Sequence, residues 1–193
     1  MTLLALTAVQ SEAMVFGIRF SNTQEQPLYA VTGIDGPGSK GRFGIYVGQQ
    51  SGNNVFLAGI NYDRYKMLRA DTLLYSRRYT IDLGYRFQLL PADKARAMSF
   101  MPFLALHLFK SFSKVEADSA ILSPAEVKYL KDISNDDGGW ISAGGEYFFA
   151  PVFSLGAEAG LRYTRANSNA YGNNIKIRQY DTFIALLMSF WLQ

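Results

Sequence analysis

His107 is the only histidine in the chain, and cysteine is absent. A histidine with serines nearby, here Ser111 and Ser113, is the raw material of acyl transfer, in which the imidazole takes the hydroxyl proton. The spacing argues against that chemistry. On an extended strand Ser111 shares the face of His107 but lies too far along it for direct contact, and Ser113 is farther still. A hydrogen-bonded structural histidine is therefore expected at 107, with no catalytic residue, no metal and no cofactor. The absence of cysteine excludes a disulfide scaffold, thiol catalysis and thiolate-bound zinc.

Two sets of charges have more consistent spacing. The first comprises Arg19, Asp63, Arg78, Asp82, Glu146, Glu158, Arg162 and Asp181. It mixes carboxylates with arginine and contains no lysine, a choice that suits enclosed ion pairs better than a solvated surface. The second comprises Arg64, Lys66, Arg77, Lys110, Lys114, Arg165 and Arg178, all basic. Such a set can hydrogen-bond phosphate, or simply snorkel at a membrane interface.

The elements that carry these sets alternate with period two. In the stretch Leu73–Phe87, the residues Leu83, Tyr85 and Phe87 fall on one face, and Arg78, Asp82 and Arg86 on the other. Side chains alternate across a strand, so this stretch is predicted to separate an apolar from a polar environment. Comparable segments run over 14–21, 41–49, 55–66, 99–113, 139–149, 153–164 and 180–192, which makes eight strands. The fifth alternates less cleanly, because Met101, Phe103 and Phe109 share the polar face and Pro102 requires an edge, a bulge or a strand end. Long connections at 22–40, 114–138 and 166–177 alternate with short ones. Within 114–138, Ser123, Pro124 and Glu126 predict the start of a short surface helix. Twelve tyrosines, fourteen phenylalanines and seventeen glycines fit tightly turning β-structure.

Which face is wet separates a soluble barrel from a membrane one. The basic set keeps the parity of the apolar face, yet it sits only at the end joined to the long connections. Phe56, Phe87, Phe100, Phe153 and Phe190 stand at the opposite end, roughly ten residues away, enough for one tilted crossing of an apolar band. A soluble barrel offers no reason for a one-ended cationic belt. The longest uncharged interval, 43–62, is interrupted by a turn, so no helical span is expected. The net charge of +3 comes without a clustered basic groove and does not point to nucleic acid.

The fold expected is thus all-β, an eight-stranded antiparallel up-and-down transmembrane β-barrel over 14–193. Residues 1–13 read as a signal-peptide remnant, with an ordinary N-terminal extension as the alternative. In alternating segments such as FSLGAEAGLRYT and the terminal DTFIALLMSFWL, the chain resembles the small outer-membrane barrels of the OmpA- and OmpX-like group. That family's last strand usually ends in an aromatic residue; here Leu192 and Gln193 follow Phe190 and Trp191. The resemblance implies a bacterial outer-membrane location. A monomer is expected, with outer-membrane lipids, including lipopolysaccharide, as partners. Such barrels are only wide enough for side chains to fill, so the first charged set is expected to plug the lumen, with Arg19, Arg78 and Arg162 neutralising the five acids. The expected role is structural or surface-interacting, through long extracellular loops that meet an extracellular or host ligand. Transport of small solutes or hydrophobic compounds is the alternative. A lipid A-modifying enzyme comes third, because some small barrels pair His with Ser for that purpose.

Overall fold

In a computed structural model that describes residues 13–24, 40–69, 72–90, 98–117 and 123–192, the chain closes into an antiparallel barrel of eight strands in sequence order. The strands are β1 (Ala13–Gln24), β2 (Lys40–Ser51), β3 (Asn54–Arg69), β4 (Thr72–Gln88), β5 (Ser99–Ala117), β6 (Asp137–Ala150), β7 (Phe153–Ser168) and β8 (Ile175–Leu192). Among the described residues a single helix, α1 (Pro124–Ser134), lies between β5 and β6. Closure is made by β1 against β8, from Met14 opposite Leu192 to Gln24 opposite Thr182. It leaves no sheet edge along that seam.

The alternation places the apolar parity outside. Leu83 and Leu108 are each 65% exposed and Ile184 is 63% exposed, in a band that also holds Ile45, Phe56 and Ile141. Contiguous apolar exposure on this scale is unstable in water and stable in hydrocarbon. The barrel crosses a membrane. No helix among the described residues is long and apolar enough to do so.

The short end turns tightly. Gly52 and Asn53 join β2 to β3, and Gly52 adopts a φ of +57°, which a residue with a Cβ resists. Pro102 lies near the start of β5, opposite Gly145, where its carbonyl accepts from the Leu89 amide at 2.9 Å.

The strands at the long end outlast their sequence patterns. Residues 166–168 and 175–177, read as loop from their composition, pair as strand, with Ala166 opposite Ile177 and Ser168 opposite Ile175. Likewise β5 continues to Ala117 and β6 begins at Asp137, so the connections are shorter than 166–177 and 114–138. The cause lies in α1. Its Tyr129, Leu130 and Ile133 are buried and pack on Val115, Ala170, Ile175 and Ile177, giving these strand extensions an apolar partner beyond the membrane. The helix starts as its sequence predicts. Ser123 Oγ accepts from the Glu126 amide, and the Glu126 carboxylate accepts from the Ser123 amide. Of the expected contact loops, 25–39 lies outside the described residues.

One carboxylate fastens α1 to the barrel. Asp132 accepts from Lys128 Nζ at 2.6 Å and from Ser168 Oγ on β7 at 2.9 Å. Burial pushes its carboxyl up, but the hydrogen bonds from Lys128 and Ser168 prevail and hold it below the ordinary value of 3.8. A carboxyl depressed in the folded state contributes fully above that ordinary value, and its contribution disappears as pH falls through the folded one. Amide exchange in α1 is therefore expected to accelerate selectively below about pH 4, relative to the strands. Asp132→Asn should show the faster exchange at neutral pH. Equal protection of α1 at pH 3 and pH 7 in the wild type would count against this fastening.

Candidate functional site

The inward parity fills the barrel in layers. At the short-turn end the filling is apolar: Val15, Val55, Met101, Phe103, Phe148 and Trp191 are each no more than 3% exposed. Met101 and Phe103, which weakened the alternation of β5, are floor residues of the lumen. Trp191 packs on Phe148 with ring centroids 5.5 Å apart and donates from Nε1 to Ser154 Oγ at 3.1 Å.

A fully buried ion pair joins this floor. Arg86 Nη1 lies 3.0 Å from Glu146 Oε1, with side chains 0% and 1% exposed. Glu146 Oε1 also accepts from Ser189 Oγ at 2.6 Å, and Ser189 bonds Tyr46 Oη at 2.6 Å. The Arg86 guanidinium lies 4.1 Å from the centre of the Phe103 ring, a favourable cation–π contact with the floor.

A second cluster centres on Asp82. His107 Nδ1 lies 2.9 Å from Asp82 Oδ1, Asn61 Nδ2 donates to Asp82 Oδ2 at 2.7 Å, and Arg19 Nη1 is 3.5 Å from Oδ1. Arg19 also reaches Glu158, 3.2 Å away, whose other oxygen accepts from Ser142. The imidazole is stacked on Trp140, with centroids 4.4 Å apart and planes 9° from parallel. Nearer the outer end, Arg78 Nη2 donates to Asp136 Oδ2 at 3.0 Å, and Arg162 lies 3.6 Å from the same atom. Arg42 pairs with Asp63 at 3.1 Å. Asp181 faces Arg162 in register and accepts from Gln179 Nε2 at 2.6 Å.

Glycine makes the room for these side chains. A Cβ on Gly84 would lie 2.2 Å from His107 Cε1, and one on Gly59 would lie 2.6 Å from Asp82 Oδ2. Gly84→Ala is expected to push the imidazole off both Asp82 and Trp140 and to cost about 1–3 kcal/mol, the usual price of overpacking. The check is the His107 ring-proton shift, which the stacked indole now shields, together with a urea titration. An unchanged shift would show that the alanine is accommodated elsewhere.

On the outer surface, strand register arranges the basic residues in two rows. Arg64 is opposite Arg77, which is opposite Lys114. Lys110 is opposite Asp137, then Arg165, then Arg178. Arg64, Arg77, Lys110, Lys114, Arg165 and Arg178 are exposed, whereas the Lys66 side chain lies outside the described residues. The rows are not purely cationic. Asp137 holds Arg165 at 2.6 and 3.0 Å and Lys110 at 3.6 Å, and Glu116 holds Lys114 at 2.5 Å.

No family model matches the chain, and no curated protein does. Solved structures do. Neisserial surface protein A aligns with a TM-score of 0.51 at 12% identity, over 93% of this chain and 95% of that one. The outer membrane protein OprG from Pseudomonas aeruginosa aligns with a TM-score of 0.51 at 10% identity, over 94% and 96%. The N-terminal β-barrel domain of Pseudomonas aeruginosa OprF gives 0.48 at 10%, over 94% and 98%. The fold is that of the small eight-stranded outer-membrane β-barrels.

With its exposed apolar band, this outer-membrane barrel belongs in a bacterial outer membrane. Its lumen brings together most of the charges singled out from sequence, with Arg42, Arg86 and Asp136 as further partners. Arg19, Arg78 and Arg162 do not neutralise all five acids: Glu146 is held by Arg86, and Asp63 is shared by Arg42 with Arg78, whose Nε is 4.0 Å away. Arg86, on the polar parity of the same stretch as Arg78 and Asp82, is 0% exposed, because Phe103 and the floor close the barrel beneath it. Asp136 was missed because it falls in a polar connection rather than an alternating segment. Arg42 had the right parity all along. His107 joins the network through Asp82, while Ser111 bonds Thr80 at 2.9 Å and not the histidine.

Proposed function

We propose that this barrel is a plugged, non-conducting outer-membrane protein that acts through its outer rim as a structural or surface-interaction element. The observation that carries this reading is the continuous filling of the lumen. An apolar floor, the Arg86–Glu146 pair, the Asp82 cluster and the Arg78–Asp136–Arg162 group follow one another along the axis. Ion pairs enclosed in this way open only at the cost of exposing charge to a low dielectric, which favours a closed barrel over a pore. The rim supports an interaction role, because the strands continue past the membrane and α1 is clamped onto them. The basic rows suit phosphate groups of outer-leaflet lipid, lipopolysaccharide among them, at the height where the apolar band ends. Catalysis forms no part of this reading.

Planar-bilayer recording on refolded protein is the test of the plug. No stable unitary conductance is expected at neutral pH. A reproducible conductance that changes with Arg86→Met or Arg162→Gln would overturn the closed-lumen reading. The surface role is tested by replacing α1 with a short Gly/Ser linker and measuring cell-surface binding, which is expected to fall.

A second reading, uptake of a hydrophobic solute, is favoured by one feature. A cleft of about 660 Å³ spanning the outer parts of β8, β1, β2 and β3 is lined both by outward Phe20, Phe43, Tyr62 and Leu186 and by inward Arg42 and Asp63. The described β2–β3 pairing stops at Phe43 opposite Tyr62. Uptake of an alkyl probe into liposomes that depends on this protein would support this reading against the first.

A further inference from the structure

Above the Asp82 cluster the lumen keeps a small cavity of about 30 Å³ whose wall includes Arg19, Arg42, Arg162, Asn61, Thr80 and Trp140. Three arginines contribute to this wall, and among the described residues no carboxylate does. The acids that pair with these arginines, Asp82, Glu158, Asp63 and Asp136, lie outside it. Arg19 and Arg162 are each only 3% exposed. Even so, Arg19 Nη2 and Arg162 Nε donate to no acceptor among the described residues. Aromatic faces position both groups without engaging their N–H edges: Arg19 is 5.5 Å from the Trp140 ring centre and Arg162 is 4.2 Å from that of Phe109.

A buried N–H on a cation without an acceptor costs free energy, so groups placed this way call for an acceptor inside the cavity. Asn61 and Thr80 do not supply a strong one. The Asn61 amide group is directed to Asp82 and the Thr80 hydroxyl to Ser111. The volume admits about two waters, or one ion of comparable size. Donors dominate this wall, and a water accepts only two hydrogen bonds, whereas a monatomic anion accepts from every guanidinium at once. We propose that the cavity is a binding site for a single halide-sized anion, held by Arg19, Arg42 and Arg162. The site is too small for phosphate or a sugar and is distinct from the basic rows on the outer surface.

The test uses the full chain refolded in detergent. Thermal midpoints are compared in sodium chloride, sodium bromide and sodium gluconate at equal ionic strength. Chloride and bromide are expected to raise the midpoint by about 2–4 °C over gluconate, with saturation. The increment should vanish in Arg162→Gln. An increment that persists in Arg162→Gln would assign it to general surface screening and overturn the proposal, as would equal midpoints in all three salts. Crystals grown in bromide provide a measurement that needs no variant. An anomalous peak within hydrogen-bond reach of Arg19 and Arg162 is expected, and ordered water without anomalous signal there would overturn the site.

Discussion

Arg86→Met is expected to destabilise the barrel by about 3–5 kcal/mol, because it leaves Glu146 as an uncompensated charge in a closed space. Both side chains are essentially inaccessible, at 0% and 1%, and the surrounding floor is aliphatic and aromatic. Ser189 alone would remain to satisfy Glu146 Oε1, with Tyr46 behind it. The double variant Arg86→Met/Glu146→Leu is expected to recover most of the loss, since two apolar groups of similar size can replace a buried pair at little cost. Urea titration of protein refolded in lipid, read by the gel shift between folded and unfolded forms, gives both values. If the single variant is as stable as the wild type, the pair contributes nothing net and the floor is held by packing alone.

Trp191→Ala is expected to have an effect of similar size, about 3–5 kcal/mol, for a different reason. Trp191 is 0% exposed, fills the short-turn end beside Phe148 and closes β8 on β1, where it lies opposite Val15. Its removal leaves a large void whose walls are pinned by the barrel and collapse poorly. Trp191→Phe should retain much of the packing while losing the bond to Ser154. The two effects are separable by conductance. Trp191→Ala alone should remain closed, because Arg86–Glu146 lies beyond the floor; a pore opened by this variant would show that the apolar floor is the actual barrier.

The outer half of this molecule was legible from its sequence and the inner half only in part. Tyr79, Ile81, Leu83 and Leu161 alternate with polar residues or glycine, and the structure exposes each of them on the outer wall. The capping residues Ser123, Pro124 and Glu126 marked the start of α1 for the same reason, since caps involve only neighbours in the chain. Ile175 and Ile177 were hidden among asparagines, and their strand character depends on α1, which packs on them from elsewhere in the sequence. Phe103, Leu187 and Trp191 broke the polar parity, and nothing local distinguished an apolar lumen floor from an imperfect strand.

The sequence by itself determined which side of the wall each strand residue occupies, because side-chain direction reverses at every residue regardless of what lies opposite. It could not determine which charge meets which. His107 bonds Asp82 from the adjoining strand, Arg86 reaches Glu146 past β5, and Arg19 on β1 reaches Asp82 on β4, contacts set by barrel closure, strand stagger and the space left by glycines such as Gly59 and Gly84. Parity is a local property of an extended chain, whereas pairing across the lumen is a property of the closed barrel.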